Sequence, residues 1–225
     1  MPRWRRADVI PLYHDFTDET VLVFGGGPVG ARKARRFAAE ARVVVVSPAF
    51  ADREFGDAEL VREAPDAAGV REWIARARPA LVVAATDDPD LNAVVADAAR
   101  EAGALVNRAD RSGSDRDVES VVVPATVEDG SVSVAISTGG ASPALTKHLR
   151  EQVEAEIADA GAMAELTAAL RSELKTRDMT GQQRRDAVRA VVRSPSVWKG
   201  LRRGESNARR EAERVIRNTV GGDSA

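Results

Sequence analysis

The chain has 225 residues, enough for one large domain or two smaller ones, with 33 basic residues set against 35 acidic ones. That balance gives no electrostatic reason to expect a nucleic-acid or membrane-surface partner, and the absence of cysteine excludes disulfides, thiolate catalysis and thiolate metal sites. Ala7-Asp8 and His14-Asp15 interrupt any apolar core after the basic start, and the longest apolar run, Ala80 to Ala85, is too short to span a bilayer, so a soluble, cytoplasmic protein is expected.

Val21-Leu22-Val23-Phe24 predicts a short buried strand. Gly25, Gly27 and Gly30 follow with G-x-G-x-x-G spacing at a strand-to-helix turn, the context that makes this pattern a dinucleotide signal. The first glycine permits the tight turn, the second lets a pyrophosphate approach the backbone, and the third allows helix and strand to pack closely. Free amides of the first helical turn then hold the phosphates. Ala34, Phe37, Ala38 and Ala41 make one apolar helical stripe, with Arg32, Lys33, Arg35 and Arg36 expected to point outward. Val43-Val44-Val45-Val46 is a second buried strand. An NAD site would place a carboxylate at its end, where this chain has Ser47-Pro48-Ala49-Phe50. Ser47 suits a ribose hydroxyl and Arg32, Lys33 and Arg53 suit a 2′-phosphate, so the residue chemistry leaves NAD and NADP open. Leu81-Val82-Val83-Ala84-Ala85 is a third strand. Asp88 is placed to cap the next helix, with Pro89 at its first position. That helix carries Leu91, Val94, Val95, Ala98 and Ala102 on one face, and Leu105-Val106 makes a further strand ending at Asn107. Strands alternating with helices predict an α/β fold, a Rossmann-type parallel sheet with right-handed crossovers.

Near residue 111 the texture changes, and residues 111–119 read as a polar loop. Residues 120–126 and 131–136 are β-prone runs joined by Glu128-Asp129-Gly130, a hairpin signal. Ser142 and Pro143 open a helix with Leu145, Leu149, Val153 and Ile157 on one edge. The remainder is expected to be helical, with stripes at Met163, Leu166, Leu170 and Leu174, at Ala187, Val188, Val191 and Val192, and at Ala208, Ala212, Val215 and Ile216. Gly181, Ser194-Pro195 and Gly204 punctuate them, and residues 221–225 are expected to fray. The predicted organisation is a Rossmann-type domain over 1–112, a small α+β segment over 113–157 and a helical domain over 158–225.

Ligands of open α/β sheets bind beyond the carboxyl ends of the strands. Two such ends carry polar clusters, Thr86-Asp87-Asp88 and Asn107-Arg108-Ala109-Asp110. Helix capping is the first reading of Asp87 and Asp88. Asp110 is the better acid–base candidate because it lies where a nicotinamide would be, although an ordinary turn residue fits the position equally well. His14 and His148 lack further ligands and make no metal site. The arginine-rich tail reads as a solvated helical face, with a polyanionic substrate as the alternative.

Several segments together resemble one family. They are Pro11-Leu12-Tyr13, Gly25-Gly26-Gly27-Pro28-Val29 with Arg32-Lys33, Ala85-Thr86-Asp87-Asp88 with Asn92, Asn107 with Asp110, Val123-Pro124-Ala125, Ser137-Thr138-Gly139-Gly140-Ala141-Ser142-Pro143, and Leu149-Arg150. Over about residues 9–155 the chain resembles precorrin-2 dehydrogenase, the N-terminal module of siroheme synthase. The resemblance implies oxidation of precorrin-2 to sirohydrochlorin with NAD⁺ and a homodimer with contacts from residues 111–157. It implies a general base at Asp110 and a nucleotide along Gly27, Pro28, Val29, Ser47, Pro48, Ala49 and Phe50. Gly25, Gly26, Thr86, Asp87 and Asn107 complete the candidate cofactor contacts, and Ser137, Thr138, Gly139 and Gly140 are the candidate substrate contacts. Some members also insert Fe²⁺, which the sequence leaves open. Two departures stand out: Arg108-Ala109 replaces the usual apolar pair before the aspartate, and the loop to Pro124 is longer and lacks an aromatic. The rival readings are a nicotinamide dehydrogenase for another substrate and a nucleotide-sensing regulatory module. The Ser-Thr-Gly-Gly block argues against both.

Overall fold

The computed structural model describes residues 10–111 and 120–221, so the chain start, most of the expected 111–119 loop and the last residues lie outside the described residues. The fold divides into two compact units, one running to Val123 and including Gly139–Ala141, the other made of Pro124–Thr138 and everything from Ser142 onward. The hairpin, its following helix and the helical tail thus share one unit, where the sequence suggested a break at 157/158.

The first unit holds β1 (Thr20–Phe24), α1 (Pro28–Phe37), β2 (Arg42–Ser47), β3 (Glu59–Arg62), α2 (Ala67–Ala77), β4 (Leu81–Ala84), α3 (Pro89–Glu101) and β5 (Leu105–Arg108). All five strands are parallel in the order β3-β2-β1-β4-β5, so the direction of winding reverses between β1 and β4. A parallel sheet is covered on both faces, which is why β1, β2 and β4 read as unbroken apolar runs. Leu22, Phe24, Val44, Val46, Val82 and Ala84 pack on one face with Val70 and Ile74 of α2 and Val95 and Ala99 of α3. Val21, Val23, Val43, Val45, Leu81 and Val83 pack on the other with Ala31, Ala34 and Phe37 of α1. Helix α1 has ten residues and would be marginal alone. Burying a large side chain such as Phe37 is worth roughly 1.5–3 kcal/mol, so tertiary packing holds α1 in place.

Three expectations needed adjustment in this unit. The sequence reading did not delimit β3 and α2. Strand β3 is a four-residue edge strand with mostly exposed side chains, stabilised by main-chain pairing to β2 rather than by its own apolar pattern. Strand β5 runs on to Arg108, which is buried. Lys33, expected to point outward, is half-buried.

In the second unit, β6 (Ala125–Asp129) and β7 (Val132–Ile136) form an antiparallel hairpin closed by Gly130-Ser131. Gly130 has φ 56°, as the first loop position of a type II′ turn requires. The first β run therefore starts its hairpin strand later than expected. Ser120 instead bridges Val106 in parallel, and the Val121 amide donates to the Val106 carbonyl at 2.6 Å. That pairing satisfies main-chain groups on an otherwise open edge of β5. Helix α4 (Pro143–Glu156) starts at Ser142, whose hydroxyl accepts from the Leu145 amide. Helices α5 (Ala160–Leu174), α6 (Gly181–Val192), α7 (Pro195–Leu201) and α8 (Glu205–Gly221) close around Leu166, Leu170, Leu174, Ala187, Val191, Val197, Ala208 and Ala212. The expected stripes supply most of this core, but Val192, expected in the α6 stripe, is exposed, and Val197 of α7 joins from outside any stripe. Ser194-Pro195, expected as punctuation, opens the short helix α7 with proline in its first turn.

Candidate nucleotide and catalytic site

The glycine turn joins β1 to α1 at the carboxyl edge of the sheet. Gly25 has φ 116°, a conformation that favours glycine, and a Cβ there would overlap the Ala85 carbonyl at the end of β4. A Cβ on Gly30 would overlap the Gly25 carbonyl, so this glycine lets helix and strand meet. Gly27 differs from both. Among the described residues, a Cβ there meets no heavy atom within 4 Å beyond its chain neighbours. No side chain caps α1 and no acidic residue lies in its first turn, whereas Asp66 and Asp88 cap α2 and α3. The first-turn amides of α1 therefore remain available to an anion, and the helix dipole favours one. These features fit a dinucleotide pyrophosphate.

The loop after β2 folds against this turn. A Cβ on Gly26 would overlap the Ala49 carbonyl and crowd the Phe50 ring and Ser47, and the Ala51 amide donates to the Gly26 carbonyl at 2.8 Å. Ser47 is buried and its hydroxyl donates to the Ala49 carbonyl at 2.8 Å, so only its lone pairs remain for a ribose hydroxyl. The sequence reading missed Arg62 at the end of β3. Its guanidinium donates to the Pro48 carbonyl at 3.1 Å and lies 5.5 Å from the Phe50 ring centre. Delimiting β3 would have revealed it, since β3 pairs with β2 and carries Arg62 opposite Ser47.

Across the reversal point, the β4–α3 turn is built on Asn92, which is fully buried. Its amide oxygen accepts from the Thr86 amide at 3.1 Å and hydroxyl at 2.8 Å, and its nitrogen donates to the Thr86 carbonyl at 3.0 Å. Asp88 caps α3 by accepting from the Asp90 and Leu91 amides. Asp87 is exposed and caps nothing, so the capping role expected of the pair belongs to Asp88 alone.

At the end of β5, Asn107 is buried. Its amide nitrogen donates to the Val121 carbonyl at 2.7 Å, while its Oδ1 finds no partner among the described residues. An orphaned buried acceptor is costly, and a carboxamide N–H of a bound nicotinamide is a partner of the right chemistry. Asp110 lies three residues on. Arg108 Nε donates to one of its carboxylate oxygens at 3.1 Å and a terminal nitrogen to the other at 2.6 Å. The Arg108 hydrogen bonds hold the Asp110 carboxyl below the usual carboxylate range, against a smaller opposing effect of burial, with Asn92 a further donor. The structure thus brings the glycine turn, the 47–50 loop and the ends of β4 and β5 to one edge of one sheet.

A family described as NAD(P)-binding matches residues 12–125, and one described as sirohaem biosynthesis protein central matches residues 129–156. Precorrin-2 dehydrogenase of Methanosarcina barkeri is 33% identical over 217 residues, covering 92% of this chain and 93% of that protein. The chain belongs to the precorrin-2 dehydrogenase and siroheme synthase family. Siroheme synthase 1 of Aeromonas salmonicida is 35% identical over 88% of this chain, and siroheme synthase of Stutzerimonas stutzeri 34% identical over 96%. The chain spans only 42% and 45% of those two proteins. The solved structure of SirC, precorrin-2 dehydrogenase, shares the fold, with a TM-score of 0.66 at 23% identity over 93% of this chain and all of that one.

Within this family member the Ser-Thr-Gly-Gly block forms a tight turn before α4. Gly139 and Gly140 have φ 63° and 82°, and the Thr138 hydroxyl pairs with the Thr146 hydroxyl at 2.9 Å. The Ser142 amide donates to the Thr138 hydroxyl at 3.4 Å, so Thr138 shapes the turn. No group of three or more metal-ligating side chains occurs among the described residues, and no helix there is long and apolar enough to cross a membrane.

Proposed function

We propose that this chain oxidises precorrin-2 to sirohydrochlorin, with NAD⁺ as acceptor and Asp110 as the proton acceptor. The observation that carries the reading is the Asp110 carboxylate, held on both oxygens by Arg108, at the same sheet edge as the open cradle over Gly27. When bound, the nicotinamide supplies the hydride acceptor. Extending the conjugation of the macrocycle also requires loss of a proton, and a positioned carboxylate takes it. The first-turn amides of α1 hold the pyrophosphate. Pro28 and Val29, the 47–50 loop, Thr86 and Asp87 line the nucleotide, and Asn107 Oδ1 orients the nicotinamide end. Ser137, Thr138, Gly139 and Gly140 contact the substrate. The choice of NAD over NADP rests on the family, because Ser47 enforces neither.

By this reading residues 1–112 serve the nucleotide and 113–157 dimerisation, with 158–225 as the helical part of the second unit, in a cytoplasmic homodimer. The exposed apolar edge of α4, with Leu145 46% and Leu149 37% accessible, supports the dimer reading.

The test is to incubate the full chain with precorrin-2 and NAD⁺ while following sirohydrochlorin and NADH absorbance together. Both should rise in step. A folded, NAD⁺-binding sample with no turnover overturns the reading. Co²⁺ insertion into the product, measured in the parent and in Asp110→Asn, reads whether a chelatase activity exists and shares the carboxylate.

A further inference from the structure

We infer that Arg108 is a positioning residue for the proton acceptor, its buried guanidinium fixing the Asp110 carboxylate in one orientation at the nucleotide edge. The inference rests on the reading of Asp110 as the base. It starts from a placement that packing alone does not explain. The Arg108 side chain is 4% exposed and that of Asp110 22%. Taking a guanidinium out of water costs several kcal/mol, and replacing a buried ion pair by apolar residues is often neutral or stabilising. The pair is therefore weak evidence of a role in stability alone.

What the cation provides is geometry. A guanidinium is a rigid fork of donors, and gripping both oxygens removes the rotation that a lone Asp side chain would keep. The fork is anchored in turn, since a terminal nitrogen also reaches the Pro89 carbonyl at 3.4 Å. Among the described residues, Arg108 is the charged group that lowers the Asp110 pKa. From α3 the carboxylate meets Asn92, a neutral amide, while Asp88 on the adjoining turn is committed to the α3 main chain. The arrangement keeps Asp110 ionised well into the acid range and aimed in one direction. The lowered pKa weakens the carboxylate as a base, so what the fork contributes is a fixed direction for the proton acceptor as the hydride leaves.

The experiment uses the full chain in four forms: parent, Arg108→Leu, Arg108→Lys and Asp110→Asn. The Asp110 carboxyl is titrated by carbon-13 NMR, and kcat is measured against pH with precorrin-2 and NAD⁺. In Arg108→Leu the Asp110 midpoint should rise, the acid limb of kcat should move up with it, and kcat at neutral pH should fall by about a hundredfold, the usual cost of a misplaced group. NAD⁺ affinity should not change. Arg108→Lys keeps the charge without the fork, so its Asp110 midpoint should stay low while kcat falls. A folded Arg108→Leu with midpoint and acid limb unmoved overturns the inference. So does an Arg108→Lys protein with parental kcat, which decides the matter should the leucine protein not fold. Full turnover by Asp110→Asn refutes the base assignment instead, and the NMR midpoints still report whether Arg108 holds the carboxylate. A purely structural role would lower the thermal melt and leave kcat parental in a folded Arg108→Lys protein.

Discussion

At Gly27 an added Cβ meets nothing within 4 Å beyond its chain neighbours among the described residues, and at Gly30 it meets the Gly25 carbonyl. The two glycines should therefore fail in opposite ways. Gly27→Val should melt like the parent yet bind NAD⁺ far more weakly in calorimetric titration, because the valine occupies the volume assigned to the pyrophosphate. Normal binding by that protein would falsify the placement. Gly30→Ala should lose stability instead, by about 1–3 kcal/mol, the usual cost of overpacking. Lys33 offers a second test at this scale. Burial, then the charges of Arg32 and Arg36, lower its pKa to about 8. Unfolded, it titrates at about 10.4. Between these values the unfolded chain binds more protons, so the folded state gains stability as pH rises through that window. Urea midpoints should show this slope in the parent and lose it in Lys33→Met. An identical slope in both proteins would place the titration elsewhere.

The β4–α3 turn separates two neighbouring carboxylates by what each touches. Asp88 accepts from two amides at the start of α3, and losing such a cap typically costs about 1 kcal/mol. Asp88→Ala should therefore lower the melt. Asp87 caps nothing, so Asp87→Asn should leave the melt unchanged and alter only nucleotide affinity. If Asp87→Asn abolished turnover with NAD⁺ still bound, the proton acceptor would have to be sought on β4 rather than β5. This assignment was half legible beforehand. The Asp-Pro signature marked a helix start, but nothing local told which aspartate would take the cap.

Each unit closes its own core, the first between the faces of the parallel sheet and its helices, the second among α5 to α8. Helix α4 contributes no buried residue to either core, although it presents Leu145 and Leu149 in helical register. Exposed apolar side chains in a row are the expected mark of an interface. In sedimentation equilibrium the chain should run at twice its 24.0 kDa mass. A Leu145→Asp, Leu149→Asp protein should shift toward the monomer while both units stay folded by circular dichroism. A parent protein that is monomeric at high micromolar concentration would remove the dimer from the proposed function.

What the sequence determined by itself lies within a few residues of its cause. Val21, Leu22, Val23 and Phe24 and the valines of β2 announced a sheet buried on both faces, because only such a strand has no polar side to show. Gly25, Gly27 and Gly30 announced the tight turn from β1 into α1, and Ser142 and Asp88 announced two helix starts, because a cap needs only the amides that follow it. The rest depended on partners far along the chain. Strand β3 exists because β2 offers it main-chain groups, and its own alternation is too short to declare it. Ser120 left the expected hairpin run because the edge of β5 was open to it. Arg108 read as a departure from the family until folding placed its fork on Asp110, and the Asn107 oxygen, without a partner among the described residues, showed itself only once Val121 had taken the other half of the amide. Burial and pairing are properties of surfaces brought together by the fold, so tertiary structure alone could decide them.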